Sequence, residues 1–232
     1  NEPTSSLKDY LLRPDKSGII AEFKRQSPSK GQINKSKSQP KDVAMAYEVA
    51  GATAMSILTD KHYFGGSNED IIQVRNYVNL PILRKEFIID PYQIHEAKSI
   101  GADVILLIGA VLNKTESETL CQLAQSLGLE VLYEVHDKTE IYKIPQSVDI
   151  IGVNNRDLKA FKVDFNHSKY MYDHLPENVI KISESGISNP ETIKDLSMKG
   201  FKGFLIGETF MKTENPGKTC TEFISQCKNL KP

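Results

Sequence analysis

Tryptophan is missing from the 232 residues, and cysteine is scarce. The three cysteines, Cys121, Cys220 and Cys227, are odd in number and lack the paired spacing of a metal site. They read as neutral thiols of a reducing compartment, so a cytoplasmic location is expected. The five histidines, His62, His95, His136, His167 and His174, form no His-x-x-x-His pattern, and no metal is expected. No apolar run approaches the ~20 residues of a membrane span, and no signal peptide is visible. No membrane partner is therefore expected. A formal net charge of −1 gives no general attraction to nucleic acid. The Gly-x-Gly-x-x-Gly fingerprint of dinucleotide sites does not follow the first strand. With no nucleophilic cysteine and no nucleotide loop, acid–base chemistry by Lys and Glu remains.

What is present is organised around residues 19–31, Ile-Ile-Ala-Glu-Phe-Lys-Arg-Gln-Ser-Pro-Ser-Lys-Gly. The stretch begins as a buried strand and turns charged at its end. Glu22 and Lys24 are two apart and share one face, while Phe23 and Arg25 face the other way. Charges of both signs are costly in a closed core but suit a strand that opens into a polar site. An ion pair at a sheet margin is the plain alternative for this pair alone.

The same unit recurs along the chain: strand, polar loop, helix, glycine, next strand. Strands are predicted near 19–24, 53–58, 81–87, 103–108, 130–135, 150–155, 179–183 and 202–206. Helices are predicted near 40–50, 69–77, 91–100, 115–127, 138–143, 167–175, 190–199 and 216–227. Gly51, Gly101, Gly128 and Gly200 each stand at a helix end just before a strand. Eight such units predict an α/β fold, a single (β/α)8 TIM barrel over 19–232 behind an N-terminal extension of 1–18. An open doubly wound sheet is the second choice. The chain starts at Asn1 rather than Met, so upstream residues are expected to be missing. The polar loop 26–39 is a candidate lid.

In such a barrel the site lies at the C-terminal strand ends. There the sequence places Glu22, Lys24, Lys85, Glu134, Asn155, Arg156, Glu184, Ser185, Gly186, Gly207 and Glu208. Two lysines and several carboxylates converge on one mouth. A lysine among like charges is expected to have a lowered pKa. The Ser-Gly and Gly-Glu turns after strands seven and eight suit a phosphate gripped by backbone N–H groups. A phosphorylated small molecule is the expected ligand.

Six motifs in order resemble the indole-3-glycerol phosphate synthase family. They are Ile20–Gly31, Leu83-Arg84-Lys85-Glu86-Phe87, Glu134-Val135-His136, Gly152-Val153-Asn154-Asn155-Arg156-Asp157-Leu158, Ser183-Glu184-Ser185-Gly186-Ile187 and Leu205-Ile206-Gly207-Glu208. The resemblance implies a cofactor-free ring closure of carboxyphenylamino-deoxyribulose 5-phosphate, with loss of carbon dioxide and water, in tryptophan biosynthesis. It implies Lys85 as general acid and Glu134 as the acid–base group of dehydration. Lys24 would hold the anthranilate carboxylate, positioned by Glu22. Asn155 and Glu184 would hold sugar hydroxyls and intermediate, with Arg156 nearby. Phe64 and Phe87 would wall the ring. Ser27, Ser185, Gly186, Gly207 and Glu208 would grip phosphate, Glu208 through its backbone. Only 18 residues precede the first strand, fewer than the family's usual cover. A monomer or weak homodimer is expected. The rival readings are the sister barrel phosphoribosylanthranilate isomerase, whose first-strand cysteine is absent here, and a barrel that binds a phosphorylated metabolite without turnover.

Overall fold

The computed structural model describes residues 4–34, 37–156 and 162–229. Asp157 and Leu158 of the fourth motif, and residues 35–36 of the 26–39 loop, lie outside them. The strands are β1 Ile19–Phe23, β2 Gln26–Ser27, β3 Gly31–Gln32, β4 Ala54–Leu58, β5 Ile82–Lys85, β6 Val104–Ile108, β7 Glu130–Val135, β8 Ile150–Asn154, β9 Ile180–Glu184 and β10 Gly203–Ile206. β2 and β3 form a small antiparallel hairpin in the 26–39 loop. The other eight are parallel, pair in chain order, and close where β10 meets β1 at Ile19 opposite Phe204. This is a TIM barrel.

Helices fill the connections. They are α1 Leu7–Leu12, α2 Pro40–Ala50, α3 Lys61–Phe64, α4 Asn68–Arg75, α5 Pro91–Ser99, α6 Lys114–Ser126, α7 Phe165–Tyr172, α8 Pro190–Lys199, α9 Glu208–Met211 and α10 Pro216–Asn229. The short helix after β7, Lys138–Lys143, is of 3-10 type. Capping fixes where several helices begin. Asp90 and Asn113 each make a capping box with the residue three on, Gln93 and Glu116. Gly51 ends α2 with φ 87°, the left-handed cap that residues with a Cβ resist.

Alternation along each strand sorts the core into two shells. Ile20, Leu83, Val104, Leu106, Leu132, Ile150, Ile182 and Leu205 point into the barrel and pack together. Ile19, Ala21, Phe23, Ile82, Ile105, Val131, Tyr133, Ile151 and Val153 point outward under the helices. The first expected segment, 1–18, contributes directly. Its α1 sends Leu7 and Leu11 into the inner shell and so closes the barrel floor. There Ser5 N–H donates to Asp103 Oδ1 at 2.8 Å, and Lys8 N–H to Glu130 Oε2 at 3.0 Å. These acceptors stand at the N-terminal ends of β6 and β7, opposite the charged mouth.

Two boundaries differ from expectation in ways that matter. β9 runs to Glu184, so that carboxylate sits on the strand rather than in the turn after it. α4 stops at Arg75, whose guanidinium folds back onto Asp103 at 2.6 Å and the carbonyls of Val78 and Leu80.

Candidate active site

The inner faces of the strands carry the apolar shell for two layers and then turn polar. Glu22, Lys85, Glu134 and Glu184 stand one step above Ile20, Leu83, Leu132 and Ile182 on the same faces. Lys85 Nζ is the hub. It lies 2.6 Å from Glu184 Oε2, 3.6 Å from Glu134 Oε2 and 3.9 Å from Glu22 Oε2. Glu22 also holds Lys24 Nζ at 2.7 Å through Oε1. The three carboxylates are all but sealed, at 3%, 5% and 0% exposure for Glu22, Glu134 and Glu184.

Two of these carboxylates occupy space that a neighbouring strand gives up. A methyl group at Gly207 would overlap the Glu22 carboxylate, and one at Gly152 would overlap that of Glu184. A side chain at either place would force the carboxylate out of its present position, whatever the backbone angles.

Burial and mutual charge set the protonation states. For Lys85, burial works against the charged form, but Glu184, Glu134 and Glu22 outweigh it and raise the pKa. The expected lowering does not occur, because the near neighbours of the ammonium are anions rather than cations. Burial pushes Glu184 up to about 7 against the pull of Lys85, with Glu134 adding to the rise. Burial also opposes ionisation of Glu134 and Glu22, yet both are lowered. Lys85 and His136 hold Glu134 down, and Lys24 and Lys85 hold Glu22 down.

Above this layer a cavity of about 540 Å³ opens. Glu22, Lys24, Ser27, Phe64, Lys85, Phe87, Glu134, Arg156, Ser185, Gly186, Gly207 and Glu208 all line it. The Phe64 and Phe87 rings lie 6.4 Å apart on one wall, and Tyr63 backs Phe87 edge-on at 6.1 Å. On the opposite side Ser185 has φ 71° and Gly186 φ 75°. A non-glycine residue in that region is strained, and such strain gathers at functional turns. Ser27 Oγ is buried without a hydrogen-bond partner. Arg156 reaches Ser29 Oγ of the hairpin at 3.3 Å and pairs with Glu208 Oε2 at 3.7 Å.

Two of the expected residues do not line the cavity: Glu184, sealed beneath it against Lys85, and Asn155. The alternation of β8 points Ile150, Gly152 and Asn154 inward and sends Asn155 out, where it is 2% exposed. Its amide donates to Ser183 Oγ at 3.0 Å and to the carbonyls of Glu184 and Ser185 at 2.6 and 2.9 Å. Asn155 thus ties down the strained Ser185 turn from behind. Asn154 is the one that reaches the cavity, donating to Glu134 Oε1 at 3.3 Å. Counting in twos from Ile150 identifies it. His136, Lys30 and Lys212 also line the cavity and were not singled out as site residues. His136 was legible by the same count from Glu134.

The chain matches the family model described as indole-3-glycerol phosphate synthase over residues 1–223. It is 49% identical over 222 residues to the indole-3-glycerol phosphate synthase of Bacteroides thetaiotaomicron, covering 96% of this chain and 85% of that one. The protein of that name from Carboxydothermus hydrogenoformans is 44% identical, covering 92% of this chain and 82% of its own. Among solved structures, thiamine phosphate pyrophosphorylase from Pyrococcus furiosus superposes with a TM-score of 0.68 at 14% identity, over 98% of this chain and 100% of that one. Tryptophan synthase subunit alpha from Legionella pneumophila gives 0.68 at 13%, over 97% and 96%. At such identities the two structures share the barrel alone. The relatives, the family model and the charged mouth agree: this chain belongs to the indole-3-glycerol phosphate synthase family.

Proposed function

We propose that the chain converts 1-(2-carboxyphenylamino)-1-deoxyribulose 5-phosphate to indole-3-glycerol phosphate. The observation that carries this reading is Lys85, an ammonium held protonated by three buried carboxylates at the mouth of the barrel. A neutral carbonyl becomes electrophilic enough for an aromatic carbon only when its oxygen is protonated or strongly hydrogen-bonded. Lys85 gives that proton as the ring carbon bonds to the carbonyl carbon. The carboxyl group leaves as carbon dioxide, and its bonding pair restores the aromatic ring. The new hydroxyl takes a second proton and leaves as water. Glu134 receives the proton shed by the adjoining carbon, and one proton from solvent closes the balance. Holding Glu134 ionised suits it to that last step.

The remaining residues orient a floppy substrate, which is a large part of the barrier in a ring closure. Lys24, fixed by Glu22, pairs with the anthranilate carboxylate, and Phe64 and Phe87 flank the ring. Ser27, Arg156, Ser185, Gly186, Gly207 and the backbone of Glu208 take the phosphate end. Glu184 holds the intermediate through Lys85. We assign Asn154 the polar contact in the cavity and Asn155 the bracing of the turn behind it.

The test is the fluorescence of indole-3-glycerol phosphate formed from the purified chain and this substrate. Turnover is expected. Substrate binding by calorimetry without any turnover would replace this reading with a non-catalytic barrel.

A further inference from the structure

His136 stands next to the reacting layer, and the chemistry above leaves it unused. It follows Glu134 by two residues and so faces the same cavity. Its Nε2 lies 3.2 Å from Glu134 Oε1, and its Nδ1 lies 3.6 Å from Glu140 Oε2. Glu140 comes from the 3-10 helix after β7, is 6% exposed, and also accepts the His136 backbone N–H at 2.7 Å. Neither ring nitrogen makes an aligned hydrogen bond, although both are buried. A buried imidazole without aligned partners, set between two carboxylates and opening on the cavity, calls for a reason. Its side chain is only 11% exposed, so the contact acts through a medium that screens charge weakly.

We propose that His136 is a positioning residue for Glu134. As imidazolium braced from behind by Glu140, it fixes the Glu134 carboxylate and keeps it a proton acceptor toward the substrate. Lys85 does the same from the other side through Oε2, so Glu134 sits between two cations. This inference rests on the ring-closure reading and adds a residue to it.

The charged surroundings agree. Burial disfavours the imidazolium, but Glu140 and Glu134 outweigh it, with a smaller contribution from Glu184 on β9. Asp137 follows it in the chain, and a ring nitrogen of His167 on α7 contacts the His136 carbonyl. The anions around the ring therefore outnumber the cations. The sign for Glu134 follows directly: an opposite charge next to a carboxylate lowers its pKa, and removing that charge raises it. Loss of the imidazolium must therefore move the protonation of Glu134 to higher pH.

The experiment is the pH profile of kcat/KM for His136→Gln and His136→Asn beside the unchanged chain. The acid limb is expected to rise by about one pH unit in both variants, with KM at the optimum within about twofold. Glu140→Gln keeps an acceptor for the His136 N–H and loses only the charge behind the ring. It is expected to move the limb the same way by less. A uniform loss of activity with the limb in place would make His136 merely structural and overturn the proposal. So would full activity with an unchanged limb. The Glu134 carboxyl carbon, followed by NMR titration, gives a readout that needs no turnover. Its midpoint must rise in His136→Gln, and a midpoint that stays would overturn the proposal even in folded protein. If the unchanged chain makes no product, the ring-closure reading fails, and the titration still decides the Glu134–His136 coupling.

Discussion

Lys85 keeps its proton because three carboxylates face it within 4 Å and outweigh the burial that disfavours its charge. Replacing it therefore removes the proposed acid and leaves the turns proposed to grip phosphate. Lys85→Ala is expected to lose about a thousandfold in kcat. Calorimetric binding of inorganic phosphate should stay within about threefold of the unchanged chain, since the proposed grip uses backbone N–H groups of the Ser185 and Gly207 turns that Lys85 does not supply; near-normal turnover would remove the lysine from its role. Gly207 is tested by one methyl group. In Gly207→Ala the new Cβ displaces Glu22, and with it the 2.7 Å pair to Lys24. We expect kcat to fall tenfold or more, about 1.4 kcal/mol of transition-state stabilisation, measured with the same fluorescence assay. Glu22, Lys24, Lys85, Glu134 and Glu184 were legible in the sequence because each strand turns charged at its C-terminal end, and for Glu22 and Lys24 the strand's period of two fixes a shared side. Asn155 faces out of the barrel and Asn154 faces the cavity, a difference that the same period of two separates. The direction of the Lys85 shift was not legible, because it depends on which strands become neighbours when the barrel closes.

At the level of elements, β1 works on both its faces. Inward it presents Glu22, and outward its continuation, Arg25, grips Asp70 on α4 through two hydrogen bonds of 2.5 and 2.8 Å. The same guanidinium donates to the Gly65 carbonyl at 3.1 Å, next to Phe64. The Arg25 carbonyl accepts from Ile33 and Asn34 at 2.8 and 3.0 Å, which closes the base of the β2–β3 hairpin. One residue thus joins the hairpin over the mouth to the loop that bears the aromatic wall. Asp70→Ala leaves that guanidinium partly buried and unpaired. The expected loss is about 2 kcal/mol in urea unfolding, below the ~3–5 of a fully buried pair because Arg25 keeps some solvent. KM should rise with it, as the hairpin and Phe64 loosen together; an unchanged KM would separate the two. The unit of strand, loop, helix and glycine was legible, but the hairpin was not. Its two-residue strands carry no periodic signal, and long-range bonds from Arg25 specify it.

Across the whole molecule, stability and chemistry lie at opposite ends of one barrel. The floor is apolar, plugged by Leu7 and Leu11 against the inner shell. Leu11→Ala opens a hole there and is expected to cost about 3 kcal/mol. Thermal unfolding should show the loss, while kcat below the melting range stays as it was. A fall in kcat without a fall in Tm would place α1 in the active layer instead. That α1 enters the barrel was not legible, since six residues with two buried leucines resemble many short surface helices. The glycines at 152 and 207 bear on protein engineering. Glu184 and Glu22 borrow the side-chain room of those glycines, each from an adjacent strand, so carboxylate and glycine form one steric part made from two strands. A designer who grafts only the charged residues onto another barrel would find no space for two of them. The transplant has to carry both glycines, and suitable host scaffolds can be screened for that pair of gaps before any charge is introduced.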